Sequence, residues 1–183
     1  MGPEELAVLI CRSLQDSPVV EIDGLGVFSC DDAGKISFHH RPRVFIAYAV
    51  EDVAQAEKLY EGLEAKGFEP WLDRRRLLPG QNWPLGIREA IEGADFFVAC
   101  YSRNSAGKRG GFQTEVRQAL ECASRVPLDD IFLIPLRLDP CRVPARITRE
   151  TQYVDFFPDW EAGFERLVGT LAGTIEKQRR RSL

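Results

Sequence analysis

The chain of 183 residues predicts an α/β protein of the flavodoxin-like kind: a five-stranded parallel sheet with helices on both faces, preceded by a small N-terminal helix plus β-hairpin. Three observations carry that prediction. From Arg43 onward, short and almost wholly apolar runs alternate with segments whose apolar residues recur at helical spacing. Such alternation folds through right-handed crossovers into a sheet covered on both faces. The length suits one well-cored domain with an appendage rather than two full domains.

The first region, 1–40, is small. Leu6, Val8, Leu9, Ile10 and Leu14 suit a short helix closed by Asp16-Ser17-Pro18. Val19–Ile22 and Lys35–Phe38 read as strands, with Val27–Cys30 between them and glycines and aspartates supplying turns. So few elements bury little apolar surface, so this segment is expected to pack on the main domain. Pro42 disfavours helix at the residue before it and marks the boundary.

The main domain is expected over 43–177. Val44–Tyr48 is a strand buried on both faces, because nothing in it is charged. Asp52 with Gln55 has capping-box spacing, and Val53, Ala56, Leu59, Tyr60 and Leu63 follow as a helix ended by Gly67. Phe68–Leu72 is the second strand, and Leu85–Ile91 a helix after a polar loop. Phe96–Tyr101 is the third strand, Val116–Ala123 marks a helix, Ile131–Leu138 is the fourth strand, and Tyr153–Phe156 the fifth. Phe164, Leu167, Val168, Leu171 and Ile175 form the last helical stripe, before a basic tail at 178–183 that is expected to be disordered.

Composition excludes several classes. A net charge of −4 and a pI near 5.3 argue against a phosphate backbone as partner, so nucleic acid is not expected. No apolar stretch approaches the roughly 18 residues of a membrane span, and Glu4 and Glu5 are wrong for a secretory signal. The five cysteines include no C-x-x-C pair, which fits free thiols in a reducing cytoplasm. Neither a P-loop nor a dinucleotide-binding glycine fingerprint follows a strand. Both histidines, His39 and His40, lie at the boundary, so no histidine-based triad or metal site is expected, and no metal.

In a sheet of this kind ligands sit beyond the carboxyl ends of the strands. That places candidate chemistry at 49–52, 73–83 and 102–115. Glu115 opens a helix after a glycine-rich loop, with Arg103, Lys108 and Arg109 upstream. The helix dipole favours a carboxylate there for stability alone, so spacing by itself leaves its role open. Residues 72–83 join three arginines to Leu77, Leu78 and Trp83. Those apolar groups either fold onto the core or serve as a ligand lid or self-association surface.

Together these segments resemble the bacterial branch of the Toll/interleukin-1 receptor (TIR) domain family, from about Arg43 to Ile175. The landmarks are Val44–Tyr48 with Glu51-Asp52, Glu69–Asp73, Leu78-Pro79-Gly80 with Trp83, Ser102–Ser105, and Lys108–Glu115. The resemblance implies an enzyme that takes NAD+ as substrate, with no other cofactor, releasing nicotinamide and ADP-ribose or a cyclic isomer. It implies Glu115 as the catalytic carboxylate and Tyr48, Ala49, Leu77, Trp83 and Phe112 as substrate-binding residues. It further implies Arg74, Arg75, Arg76, Leu78, Pro79 and Gly80 as a self-association loop. A cytoplasmic role in bacterial anti-phage immunity follows, with activation by assembly into a homo-oligomer or filament and a separate sensor or effector protein as a further partner. One departure stands out: where many active members carry an aromatic four residues before the glutamate, this chain has Gly111, with Phe112 one step later. The alternative function is a non-catalytic adaptor acting through TIR–TIR contacts.

Overall fold

A computed structural model describes residues 2–22, 26–31, 33–39, 41–76, 80, 82–105, 107, 109–127, 129–149 and 151–181, without the side chains of residues 3, 39, 74 and 76. The chain forms two units, Met1–Arg41 and Pro42–Leu183. In the first, helix α1 (Pro3–Asp16) precedes strands β1 (Val19–Ile22), β2 (Gly26–Cys30) and β3 (Ile36–His39). They pair antiparallel in chain order, so the expected hairpin gains a third strand. Asp31 makes the second turn tight: its Oδ1 accepts from the amides of Ala33 and Lys35 at 3.0 and 2.8 Å, as an Asx turn requires. Phe28 and Phe38 face each other across the ladder, ring centroids 4.7 Å apart.

The second unit is a five-stranded sheet in the order β5-β4-β6-β7-β8. The strands are β4 (Arg43–Ala47), β5 (Glu69–Trp71), β6 (Phe96–Tyr101), β7 (Leu133–Arg137) and β8 (Val154–Asp155). All four pairings are parallel, the flavodoxin-like arrangement expected from the sequence. All six residues of the central β6 are buried, which is why these strands read as continuous apolar runs. Successive side chains point to opposite faces, and two cores result. On one, Val44, Ile46, Phe96 and Val98 pack with Leu59 and Leu63 of α2 (Val53–Ala65) and with Phe164, Leu167 and Leu171 of a long C-terminal helix. On the other, Phe45, Phe97, Ala99 and Tyr101 pack with side chains of the two helices that flank β6 in sequence. Arg137 fastens the sheet's far edge, its Nε and Nη2 reaching Asp155 at 2.5 and 2.8 Å.

The polar loop expected after β5 begins as a helical turn, α3 (Asp73–Arg76), and α4 spans Trp83–Glu92. Helix α5 covers Gly111–Ala123, α6 Ala145–Thr148 and α7 Trp160–Arg181. Two local expectations are corrected. Asp52 ends a short 3-10 turn ahead of α2 but makes no side-chain cap, because its carboxylate is used elsewhere, as shown below. Helix α7 continues to Arg181, through most of the stretch expected to be a disordered tail. Arg181 reaches Asp130 at 2.8 Å and Asp129 at 3.1 Å, and Lys177 donates to the Asp129 carbonyl at 3.0 Å. Cations in a last turn also suit the helix dipole. Among the described residues no helix is long and apolar enough to cross a membrane.

Helix α2 packs against Phe164 of α7 at Gly62. A Cβ placed there would lie 2.8 Å from Phe164 Cζ, and that ring is buried in the core. Alanine's better helix propensity therefore loses to overpacking. Gly62→Ala is expected to lower unfolding free energy by about 1–3 kcal/mol, measured by chemical denaturation.

Candidate functional site

The carboxyl edge of the sheet is organised by one buried carboxylate. Asp52 is 3% exposed and lies just beyond β4, where Ala49 leads into the 3-10 turn. Its Oδ2 accepts a short hydrogen bond from the Ser102 hydroxyl, and its Oδ1 accepts from Asn104 Nδ2 at 2.7 Å. Ser102 and Asn104 belong to the loop after β6. That loop closes on itself, the Ser102 amide donating to Ser105 Oγ at 2.8 Å and the Asn104 amide to Ser102 Oγ at 3.1 Å. The Ser105 carbonyl then accepts from Gln113 Nε2 at 3.1 Å, which ties the first turn of α5 to the same network. A buried charge needs such partners, since a carboxylate without them is costly in the interior.

Beside this network a cleft of about 420 Å³ opens at the carboxyl ends of β4, β5 and β6. Tyr48, Ala49 and Val50 form one side, Asp73 and Trp83 another, and Ser105, Arg109, Gly110, Gly111, Phe112 and Glu115 the third. Gly110 sits at φ 151° directly before α5, a conformation that needs glycine. Glu115, in the second turn of α5, is half-buried, and its carboxyl is pushed up to about 7, first by burial and then by the charge of Asp73. It is therefore divided between acid and carboxylate at neutral pH. Asp73 in turn accepts from the Tyr48 hydroxyl at 2.7 Å. Trp83 projects at 59% exposure from the start of α4, which Asn82 caps through the Leu85 amide at 3.3 Å.

Of the residues singled out from sequence, Tyr48, Ala49, Trp83, Phe112 and Glu115 meet in this cleft. Phe112 contributes little to it. It is 8% exposed and packs edge-on to Tyr101, centroids 5.2 Å apart, so most of the ring belongs to the core. At Gly111, where the family resemblance led to the expectation of an aromatic, an added Cβ would touch only Glu115 Oε1 among the described residues, at 3.7 Å. Arg75 turns back onto α2, its Nε 2.6 Å from Glu57 and its Nη2 3.0 Å from Glu61, with the guanidinium 4.5 Å from the Tyr60 ring centre. Gly80 is exposed at φ 84°. Leu77, Leu78 and Pro79 lie outside the described residues, as do the side chains of Arg74 and Arg76. Sequence reasoning missed Asp73 and Arg109 as lining residues. Both sat in stretches marked for chemistry, and a carboxylate directly after a strand in a sheet of this order is the signal that finds Asp73.

A doubly wound parallel sheet with a carboxylate-bearing cleft at its carboxyl edge defines the class, and the comparison with known families defines the member. The TIR domain family matches residues 44–168, and the chain belongs to it. The uncharacterized protein y4cD of Sinorhizobium fredii is 31% identical over 109 residues, 60% of this chain. The chain spans about a sixth of that relative, 17% of its length. The TIR domain of the Toll-related receptor TRR-2 from Hydra magnipapillata is similar in structure, with a TM-score of 0.56 and 24% identity over 68% of this chain and 93% of that one. A TIR-STING receptor from C. gigas, solved with 2′,3′-cGAMP, gives a TM-score of 0.54 and 18% identity, covering 67% of this chain and 38% of the receptor. At these identities the structural likeness is one of fold.

The Asp52 network yields a direct test. Asp52→Ala strands the Ser102 hydroxyl and the Asn104 amide and leaves a void. It is expected to cost about 3 kcal/mol and to speed amide exchange at Ser102 and Ser105. Asp52→Asn fills the space but leaves one acceptor for two donors, Ser102 Oγ and Asn104 Nδ2, so it should fall between the two proteins in a denaturant melt.

Proposed function

We propose that this TIR domain cleaves the nicotinamide–ribose bond of NAD+, releasing nicotinamide with ADP-ribose or a cyclic isomer, and that Glu115 is its catalytic residue. The observation that carries this reading is the placement of Glu115: a half-buried carboxyl group in a cleft at the carboxyl edge of the sheet. Departure of neutral nicotinamide leaves positive charge on the ribose, and a half-buried carboxylate beside it stabilises that charge more than it stabilises the ground state. The same group accepts hydrogen bonds from the ribose hydroxyls, which hold the sugar against it. Tyr48, Ala49 and the exposed Trp83 offer the apolar surface that the rings of a dinucleotide need. The setting that the family resemblance implies, immunity with activation by self-association, belongs to the same proposal.

Three outcomes test it. Concentrated protein incubated with NAD+ should release nicotinamide, followed by chromatography, and Glu115→Gln should lower the rate by about 10²-fold or more. The carboxylate is the active form, so kcat/KM should fall as pH drops through about 7. Rate per mole of protein should rise with concentration where assembly completes the site. A folded Glu115→Gln protein that keeps full activity would remove Glu115 from the mechanism. Silence of the parent under conditions that demonstrably assemble it would leave the adaptor role, which the exposed Val50, Trp83 and Leu85 favour.

Stability provides an independent check. The folded protein holds the Glu115 proton more tightly than the unfolded chain does, since the group's ordinary value is 4.5. Its destabilising effect is therefore absent at low pH, grows as pH rises from 4.5 to about 7, and is complete above that. Glu115→Gln removes it. The variant should melt higher than the parent at pH 8, with the gap closing toward pH 5.

A further inference from the structure

Three side chains from three elements converge on the cleft: Tyr48 after β4, Asp73 at the start of α3, and Glu115 in α5. The Tyr48 hydroxyl, donating at 2.7 Å, fixes Asp73 by its Oδ1. Arg109 on the rim completes the charged and titratable groups that line the cleft among the described residues. Two carboxylates confined together repel one another. In keeping with this, the Glu115 carboxyl is pushed up to about 7, first by burial and then by the charge of Asp73. A cation entering the cleft removes the repulsion without the proton. No annular cage of acids is needed, because one pre-positioned carboxylate and one that can be recharged suffice.

We propose that Asp73 is the residue that makes this site select a positively charged pyridinium ring over a neutral one. The inference rests on the NAD+-cleaving reading and deepens it. It says that the oxidised nicotinamide end of the dinucleotide lies by Asp73 and Glu115, and why the reduced, uncharged form is refused. Binding is then an exchange: the pyridinium enters and the protonated fraction of Glu115 gives its proton to solvent. In the reaction the C1′–N1 bond breaks and its electron pair stays on the ring nitrogen. Nicotinamide becomes neutral, and the positive charge passes to the ribose. The leaving group thereby loses its attraction to Asp73 as the ribose gains one to Glu115, so the same pair of charges favours binding before the step and release after it.

The test uses 1-methylnicotinamide, a pyridinium with no glycosidic bond to cleave, against neutral nicotinamide. Each is titrated calorimetrically into the full chain at pH 7 in two buffers of different ionisation enthalpy. The parent should prefer the cation by about tenfold and release protons on binding it, since its Glu115 carboxyl is raised. Both effects should shrink in Asp73→Asn, whose side-chain oxygen still accepts the Tyr48 hydroxyl. Equal binding of the two probes by the parent, or no binding of either, overturns the inference; a preference unchanged in Asp73→Asn overturns the assignment to Asp73. If that variant does not fold, the parent decides alone, since its preference must weaken at pH 5, where Glu115 keeps its proton. Nicotinamide release from NAD+ is scored separately. Release without cation preference defeats this inference only, and cation preference without release defeats the cleavage reading only.

Discussion

The carboxylate of Asp52 is the constraint on which the rest of the site depends. Burying a negative charge at the end of a sheet is unfavourable unless donors are held in place for it. Ser102 and Asn104 are those donors, and supplying them commits the loop after β6 to one conformation. Ser105 closes the loop, and its carbonyl receives Gln113 from α5. The helix that bears Glu115 is thus referenced to the turn before α2, some sixty residues earlier in the chain. The catalytic role proposed for Glu115 would need that kind of support, because small displacements of a reacting carboxylate cost much of its effect.

Around this fixed edge the cleft combines rigid and unfavourable features. Glu115 is held where its charge is disfavoured, so the folded state gives up stability above neutral pH to keep it there. The aromatic that sequence reasoning offered as a stacking platform, Phe112, is mostly occupied with Tyr101 in the core. The Tyr101 hydroxyl beneath it is buried with no hydrogen-bond partner among the described residues, so this corner of the core is held by packing, not by polar pairing. Moving Phe112 into the cleft would uncover that corner. The open space at Gly111 gives the cleft its shape instead. The departure from the family pattern is therefore one of volume: a wall is absent, and nothing has been moved to replace it.

How much of this was legible follows from the range of the interactions. The strands of the main sheet announced themselves, because burial on both faces demands uninterrupted apolar runs, and β6 has no exposed position at all. Strand–helix alternation then pointed to a parallel sheet covered on both faces. Strand ends marked the stretches 49–52, 73–83 and 102–115, and the family resemblance singled out Glu115, Tyr48, Ala49 and Trp83, which line one cleft. What stayed hidden was set by partners distant in sequence. Asp52 and Gln55 spell a local cap, yet the side chain is claimed by residues fifty positions away. Arg181 looked like a solvated tail because its partners, Asp129 and Asp130, lie in a different loop. Asp73 stood only as the first residue of a stretch marked for chemistry, and the fold sets it in one cleft with Tyr48 and Glu115.

The stem of the segment that follows β5 bears on how the proposed ligand binding and self-association would be coupled without a separate device. Asp73 is pinned to Tyr48 on the cleft side, and Arg75, two residues on, is pinned to Glu57 and Glu61 on the side of α2. The segment leaves the sheet with both of its near anchors satisfied inside the chain. It rejoins regular structure at Asn82, whose cap fixes the start of α4 and leaves Trp83 projecting at the cleft mouth. Val50 faces the same opening and is 70% exposed. Large apolar side chains so placed gain by being covered, whether by a ring of the substrate or by another protein surface. A cover that bridges both gains twice. A ligand seated against Trp83 would extend the apolar surface offered to a neighbouring chain, and that chain would close the cleft over the ligand. Each event would then favour the other by the same free energy, as linkage demands.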